Sequence, residues 1–189
     1  TYSELSLRIA EVADWLHEQG VASGDRVAWL GTNNPAAIHL LLACSRLGAI
    51  FLPLNSRLVV SEHRWILQDA EPQILIAEPM FYDHAQEAVQ KNIVYRLDEL
   101  TEANHTSTSP RVGRPSDAVL LAYTSGTTGT PKGALLTQRA LASNAVNSAH
   151  AHDLTPQDRI LTFLPLFHVG GLNIQTLPAL MTGASVFLH

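Results

Sequence analysis

The chain has 189 residues, and 46% of them are apolar, which suits one globular domain with a sizeable core and excludes a disordered chain. The net charge is −5 and there are only two lysines, Lys91 and Lys132. An acidic chain without a basic stripe argues against nucleic-acid binding and against an anionic membrane surface as partners. The single cysteine, Cys44, cannot form a disulfide within the chain, so we predict a reducing, cytoplasmic location.

The two ends of the sequence predict that it is a piece of a longer protein. It begins without methionine, inside a helix signal, and it ends at His189 inside a strand-like run. A basic-then-apolar leader is not visible, so we expect no secretory signal. The most apolar stretch, Ala36–Leu54, contains His39, Arg46 and Pro53 and predicts no transmembrane segment.

Residues 1–104 alternate between helix and strand signals. Thr1 and Glu4 form a capping-box pattern for a first helix, which Gly20 ends, and Asn34 followed by Pro35 is typical of a second helix start. This alternation predicts an α/β fold with right-handed crossovers and a mostly parallel sheet flanked by helices. The other expected elements are a strand at Val27–Leu30, the end of the second helix at Leu47 and Gly48, a strand at Ala49–Leu54, a helix capped by Ser61, a strand at Gln73–Ala77, a helix at Met80–Gln90 and a strand at Ile93–Leu97.

A polar stretch rich in Ser, Thr and Pro follows and predicts a linker. We therefore divide the chain into a first α/β part at 1–104, a linker at 105–116 and the start of a second α/β part at 117–189. In that last part Asp117–Thr124 and Gly133–Leu136 predict the two strands of an antiparallel hairpin. The remaining predictions are a helix from Thr137 to about Ala149, a strand at Arg159–Leu164, a helical segment at Leu172–Leu180 and a strand at Ala184–Leu188.

The tip of this hairpin carries the strongest functional signal. The stretch Tyr123–Gly133 reads Tyr-Thr-Ser-Gly-Thr-Thr-Gly-Thr-Pro-Lys-Gly. Glycines let backbone N–H groups approach an anion, hydroxyls add donors, and Lys132 adds a compact positive charge. This combination predicts a cradle for a phosphate chain, against the alternative of a ligand-free Gly/Thr-rich loop. It is not a Walker A loop, because Pro131 stands where the second glycine is required, and it is not a nucleophile elbow, because Tyr123 stands two residues before Ser125.

The same eleven residues resemble, at every position, the signature phosphate loop of adenylate-forming (AMP-binding) enzymes. These include acyl- and aryl-CoA synthetases, luciferases and peptide-synthetase adenylation domains, and the order and spacing of segments resemble the first part of such an enzyme over the whole chain. The resemblance implies the N-terminal part of the large domain, with the C-terminal lid domain absent. It also implies binding of the ATP phosphates by Thr124, Ser125, Gly126, Thr127, Thr128, Gly129 and Lys132.

The second landmark is the segment Pro165–Gly171, which reads Pro-Leu-Phe-His-Val-Gly-Gly. By itself, His168 is more often a satisfied core histidine than a site residue. The segment is similar to the acyl-pocket segment of acyl-CoA synthetases, and that resemblance implies that His168 borders the substrate carboxylate. Peptide-synthetase domains usually carry an acidic residue there to hold an α-amino group, so His168 favours an acid without one.

The resemblance implies an acyl-CoA synthetase of the fatty-acid–CoA ligase type, which converts a small carboxylic acid to an acyl-adenylate and then to a CoA thioester. ATP, Mg²⁺ and CoA follow from it, with Mg²⁺ brought by the ATP phosphates because no metal ligand set is visible. We assign no catalytic residue within the chain, expect it to be inactive alone, and consider a homo-oligomer. The alternatives are an amino-acid adenylation domain and a non-catalytic nucleotide- or protein-binding module.

Overall fold

The computed structural model describes residues 1–90, 93–101, 109–124 and 131–189. Short 3₁₀ turns at Pro79–Phe81 and Leu97–Thr101 and a π-helical segment at Gly170–Thr176 supplement the regular elements. No helix in the described ranges is long and apolar enough to cross a membrane. The regular elements are α1 (Tyr2–Glu18), β1 (Arg26–Leu30), α2 (Pro35–Leu47), β2 (Ile50–Leu54), α3 (Val60–Ala70), β3 (Ile74–Ala77), α4 (Tyr82–Ala88), β4 (Ile93–Arg96), β5 (Ala118–Thr124), β6 (Lys132–Thr137), α5 (Gln138–Ala151), β7 (Arg159–Thr162), α6 (Leu177–Thr182) and β8 (Ser185–Leu188).

Six strands form the main sheet in the order β4-β3-β1-β2-β5-β6. All neighbouring pairs are parallel except β5 and β6, which form the expected antiparallel hairpin. Strands β7 and β8 make a separate parallel pair. The mostly parallel α/β sheet predicted from the sequence is therefore confirmed. The division at residues 105–116 stays a prediction, although β5 and β6 lie in the same sheet as β1 to β4.

Helices cover both faces of the main sheet. Residues of α1, α2 and α5 share one hydrophobic cluster with one side of the strands, and residues of α3 and α4 share a second cluster with the other side. Every residue of β2 and β3 is buried, as expected for parallel strands covered on both faces. Cys44 is fully buried in the first cluster, and this burial raises the pKa of its thiol.

The predicted helix caps of α1, α2 and α5 are confirmed. The Thr1 side chain accepts from the Glu4 N–H at 3.3 Å, while the N-terminal amine donates to the Glu4 carboxylate at 2.6 Å. Asn34 Oδ1 accepts from the Ala36 N–H at 2.9 Å, and Gly48 ends α2 with a left-handed φ of 72°. At the start of α5, the Thr137 hydroxyl accepts from the Ala140 N–H at 3.1 Å.

The predicted cap of α3 was wrong by two residues. Helix α3 begins at Val60, so Ser61 lies inside its first turn and does not cap it. The Glu62 carboxylate accepts from the Val59 N–H at 2.9 Å, which supplies half of a capping box without a side-chain cap at Val59.

Two other helices differ from their predicted forms. The stretch predicted as one helix at 80–90 divides into the 3₁₀ turn that starts at Pro79 and the seven-residue α4. The stretch predicted as helical at 172–180 begins as the π-helical segment and becomes α6 only at Leu177. Pro178 lies in the first turn of α6, directly after the π-helical segment.

A histidine pair joins α3 to α4. His63 is fully buried, and its Nδ1 lies 2.7 Å from His84 Nε2, while its Nε2 lies 3.0 Å from the Asn55 carbonyl oxygen. Because a carbonyl only accepts, Nε2 of His63 carries the proton and Nδ1 accepts from His84. Burial, and then the neighbouring His84, lower the pKa of His63 to about 4.

Candidate functional site

The hairpin β5–β6 presents the predicted phosphate loop at its tip. Thr124 and Lys132 pair across the last position of the ladder, and the Thr124 hydroxyl donates to the Lys132 carbonyl at 3.5 Å. Both residues are exposed. The ion pairs found in the described part of the chain do not include Lys132, so its ammonium is available to a ligand. The other predicted phosphate-binding residues, Ser125, Gly126, Thr127, Thr128 and Gly129, lie outside the described residues, and their roles stay predictions.

The end of the hairpin next to the tip is fixed to α3 through Tyr123. The Tyr123 hydroxyl donates to Asp69 Oδ2 at 2.5 Å, and the ring meets Trp65 edge-on at 6.2 Å between centroids. Burial, followed by the bond to Asp69, raises the pKa of Tyr123. Opposite Tyr123 in the ladder is Gly133, where a Cβ would lie 2.8 Å from Leu121 Cδ1 and 3.3 Å from Tyr123 Cζ. The last glycine of the motif therefore makes room for neighbouring side chains.

The connections of the main sheet create a crevice between β1 and β2. From β1 the chain turns to α2 on one face, whereas from the adjacent β2 it turns to α3 on the opposite face. Such a reversal between neighbouring parallel strands opens a ligand-binding crevice at their carboxyl ends. Because β5 is the parallel neighbour of β2, the phosphate loop starts from the same edge of the sheet.

A cavity of about 270 Å³ occupies this crevice. Its walls combine polar groups from the loops after β1 and β2 with two phenylalanine rings and the end of β8. An arrangement of one apolar wall and a few polar groups suits a small organic ligand. The lining residues are Thr32, Asn33, Ser56, Arg57, Phe163, Pro165, Phe167 and His189.

His168 follows directly after the crevice wall and is exposed, which argues against the alternative of a core histidine. Its Nδ1 accepts from the Gly170 N–H at 3.0 Å, so the proton of the neutral ring is on Nε2. The backbone N–H of His168 donates to the Pro165 carbonyl at 3.1 Å, which forms a tight turn. The imidazole can therefore offer an Nε2–H donor to a ligand oxygen.

Gly171 makes the turn around His168 possible. A Cβ at this position would lie 2.3 Å from the Pro165 carbonyl oxygen and 2.5 Å from the Leu164 carbonyl oxygen. These are backbone atoms and cannot move aside as a flexible side chain can. Close backbone packing is thus located at Gly171, where the π-helical segment crosses the preceding loop.

Sequence reasoning missed two residues beside the crevice, Asn33 and Glu78. Asn33 is hydrogen-bonded to three backbone groups far along the chain, and Glu78 is a buried carboxyl group at the end of β3. A carboxylate directly after the apolar run Ile74–Ala77 was the available signal, since ligand sites gather at the carboxyl ends of parallel strands. Asn33 offered no signal beyond its position before the helix cap Asn34.

The hairpin and the crevice thus bring Thr124, Lys132 and an exposed imidazole to one edge of the sheet. A family model described as AMP-binding enzyme matches residues 1–189. The chain belongs to this family. Its mixed α/β architecture is that of the N-terminal domain of adenylate-forming enzymes, as the resemblance implied.

Several curated relatives of this AMP-binding chain are CoA ligases. Indoleacetate–CoA ligase of Aromatoleum aromaticum is 47% identical over the whole chain, which covers 40% of that relative. Feruloyl-CoA synthase of an Amycolatopsis species is 42% identical over the whole chain, which covers 38% of it. The chain therefore spans about two-fifths of the length of these relatives.

Solved structures of the AMP-binding family agree with the fold. ATP-bound MatB from Rhodopseudomonas palustris superposes with a TM-score of 0.88 at 32% identity, over all of this chain and 39% of that one. The inhibitor-bound N-terminal domain of FACL13 from Mycobacterium tuberculosis gives a TM-score of 0.91 at 30% identity, over all of this chain and 50% of that one.

Proposed function

We propose that this chain is the phosphate-gripping part of an ATP-dependent acyl-CoA synthetase. The observation that carries the proposal is the hairpin whose last pair before the tip is Thr124 with the exposed Lys132. This pair lies beside a crevice at the point where the connections of a parallel sheet reverse. The kinship with CoA ligases supports the same reaction class.

In this reaction the substrate carboxylate attacks the α-phosphate of ATP, and pyrophosphate leaves. The loop Thr124–Gly129 and Lys132 would orient and neutralise the leaving pyrophosphate, where fixed donors stabilise developing charge without reorganising. Mg²⁺ would arrive on the ATP phosphates, because in the described ranges no three His, Cys, Asp or Glu side chains form a metal-binding group. The CoA thiol then displaces AMP from the acyl-adenylate.

His168 is proposed to border the substrate carboxylate. The Nδ1 bond to the Gly170 N–H leaves Nε2–H as the donor toward a carboxylate oxygen. An imidazole donor suits an acid without an α-amino group, which favours a CoA ligase over an amino-acid adenylation domain. We further propose an aryl-bearing acid as the substrate, because two of the most similar curated relatives are named for indoleacetate and ferulate.

The test is acid-dependent ATP–pyrophosphate exchange by the full-length protein. The panel contains indoleacetate, ferulate, a medium-chain fatty acid and the twenty amino acids. We expect exchange with an aryl acid and none with amino acids, followed by thioester formation when CoA is added. Amino-acid-dependent exchange would favour the peptide-synthetase alternative, and no exchange with any acid would favour a non-catalytic module.

The isolated chain 1–189 is proposed to be inactive, since the resemblance implies that the catalytic lysine and the lid lie downstream. Robust exchange by residues 1–189 alone would contradict this. A cytoplasmic location and a homo-oligomeric state stay predictions, to be checked by fractionation and by light scattering of the full-length protein.

A further inference from the structure

We infer that Asn33, supported by the buried Glu78, is a positioning residue that holds the segment presenting His168. The inference rests on the proposed function only where it concerns catalysis. Its structural part concerns a tether between the main sheet and the loop after β7, and that part can be measured without any substrate.

Asn33 uses its whole side-chain amide for this tether. Its Oδ1 accepts from the Leu166 N–H at 2.8 Å, and its Nδ2 donates to the carbonyls of Leu164 at 3.1 Å and His189 at 2.9 Å. The partners lie more than 130 residues away along the chain, so one amide joins the loop after β1 to two separate segments. Because its polar atoms are engaged by the protein, Asn33 acts on a ligand through the groups it positions.

The tethered residues are the foundation of the His168 turn. Leu166 lies two residues before His168, and the Pro165 carbonyl between the two anchored positions accepts from the His168 N–H. Leu166 is also buried in the cluster of α1 and α2. A shift at Leu164 or Leu166 would therefore be transmitted to the imidazole through a single tight turn.

Glu78 fixes the loop that carries Asn33. It is 7% exposed, and its carboxylate accepts from the Thr32 N–H at 3.1 Å, from the Thr32 hydroxyl at 3.1 Å and from Asn34 Nδ2 at 2.8 Å. These donors flank Asn33 on both sides. The salt bridges among the described residues do not involve Glu78, so hydrogen bonds from this loop compensate the burial of its charge.

Gly31 gives the carboxylate access to the loop. A Cβ at Gly31 would lie 3.0 Å from Glu78 Cδ and 2.3 Å from Trp29 Cζ2. The sequence from Gly31 to Asn34 thus folds around a buried anion, and the one side chain between the two bonded neighbours projects to the His168 segment. Directed hydrogen bonds, and not packing alone, therefore set the position of Asn33.

The chain offers a matched control for a purely structural role. The Tyr2 hydroxyl donates to the Ala184 carbonyl at 2.7 Å, which joins α1 to the residue before β8. Like Asn33, it bonds a backbone carbonyl beyond residue 160, but it does not touch residues 164–168. Tyr2→Phe should therefore loosen the β8 side without moving His168.

The experiment uses the full-length protein with Asn33→Ala, Asn33→Asp, Glu78→Gln and Tyr2→Phe. Hydrogen–deuterium exchange of peptides covering residues 164–171 should accelerate about tenfold or more in Asn33→Ala, since tethering bonds are lost. Asn33→Asp keeps the acceptor for Leu166 and loses both donors, so it should be intermediate. Tyr2→Phe should leave these peptides unchanged.

The kinetic readout separates positioning from folding. With an aryl acid, Asn33→Ala and Glu78→Gln should lower kcat/KM for the acid by about ten- to a hundredfold through displacement of the imidazole, with the KM for ATP nearly unchanged. In a double-mutant cycle, adding Asn33→Ala to His168→Ala should cause little further loss of kcat/KM, because both changes remove the same interaction of the imidazole with the acid.

The inference would be overturned by unchanged exchange at 164–171 in both Asn33 variants, or by losses that multiply fully in the double mutant. Equal effects of Tyr2→Phe and Asn33→Ala would also overturn it. If the wild-type protein catalyses no acid-dependent exchange, the proposed function fails, whereas the deuterium-exchange comparison still decides the tether.

Discussion

Acidification should destabilise the α3–α4 layer through His63. In the folded protein this buried ring has a pKa of about 4 instead of 6.5, so it stays neutral while the unfolded chain takes up a proton. The unfolded state therefore binds more protons below the ordinary histidine pKa. Stability should be flat above about pH 6.5 and should fall as the pH drops from there toward 4.

The magnitude follows from the two pKa values. When His63 is fully protonated in the unfolded chain but neutral in the folded protein, the free energy of unfolding falls by about 3 kcal/mol. At about pH 5 the loss amounts to about 2 kcal/mol. The contact of His63 Nδ1 with His84 Nε2, 2.7 Å away, is one cause of the lowered pKa and is therefore already included in this magnitude.

Urea unfolding of the intact protein at about pH 7.5 and pH 5 measures this effect, with tryptophan fluorescence as the signal. Trp65 lies in α3, two residues from His63, and reports on this layer. His63→Gln keeps an amide donor for the Asn55 carbonyl but cannot titrate. The difference in unfolding free energy between wild type and His63→Gln should therefore change by about 2 kcal/mol in favour of the variant at low pH. The exposed His17 supplies the control His17→Gln, and parallel pH profiles of wild type and His63→Gln would refute the reasoning.

Two further predictions concern the site. Lys132→Ala should lower acid-dependent ATP–pyrophosphate exchange by about ten- to a thousandfold through loss of charge stabilisation. Its melting temperature should equal that of the control Arg111→Ala. A large drop in melting temperature would instead assign Lys132 a structural role. Gly171→Ala should destabilise the protein by about 1–3 kcal/mol, because its Cβ would meet two backbone carbonyls. In thermal unfolding, the control Gly170→Ala, whose Cβ would have its nearest neighbour 3.1 Å away, should lower the melting temperature less. Equal melting temperatures of the two variants would contradict the packing argument.

The elements that the sequence predicted well are those determined by local chemistry. The Thr1–Glu4 box, the Asn34–Pro35 start and the left-handed Gly48 act within one turn of their own helix, and the sequence contains all of the information they need. Ser61 misled because Glu62 accepts the Val59 N–H instead. The π-helical segment could not be predicted, because it depends on the contact of Gly171 with the Leu164 and Pro165 carbonyls.

In the candidate site, too, local motifs were predictable and long-range contacts were not. The phosphate-type loop and His168 were recognisable as short motifs, and the structure gives Lys132 an exposed position and His168 an exposed ring. Asn33 was not recognisable, since its partners lie up to 156 positions away. Glu78 was marked only by its position after a strand, and its bonds to Thr32 and Asn34, 46 and 44 positions away, were not predictable. Long-range tethers of this kind emerge only when the order of the strands is known.

The final glycine of the phosphate-loop motif has a consequence for how such motifs are used. Gly133 faces Tyr123 in the ladder, where a Cβ would crowd the side chains of Leu121 and Tyr123, so selection for a correctly folded hairpin would favour glycine even in a descendant that had lost its enzymatic activity. A match at this glycine therefore indicates the hairpin fold and does not indicate catalytic activity. Annotating an AMP-binding homologue as an active ligase should therefore depend on the hydroxyl and lysine positions of the loop.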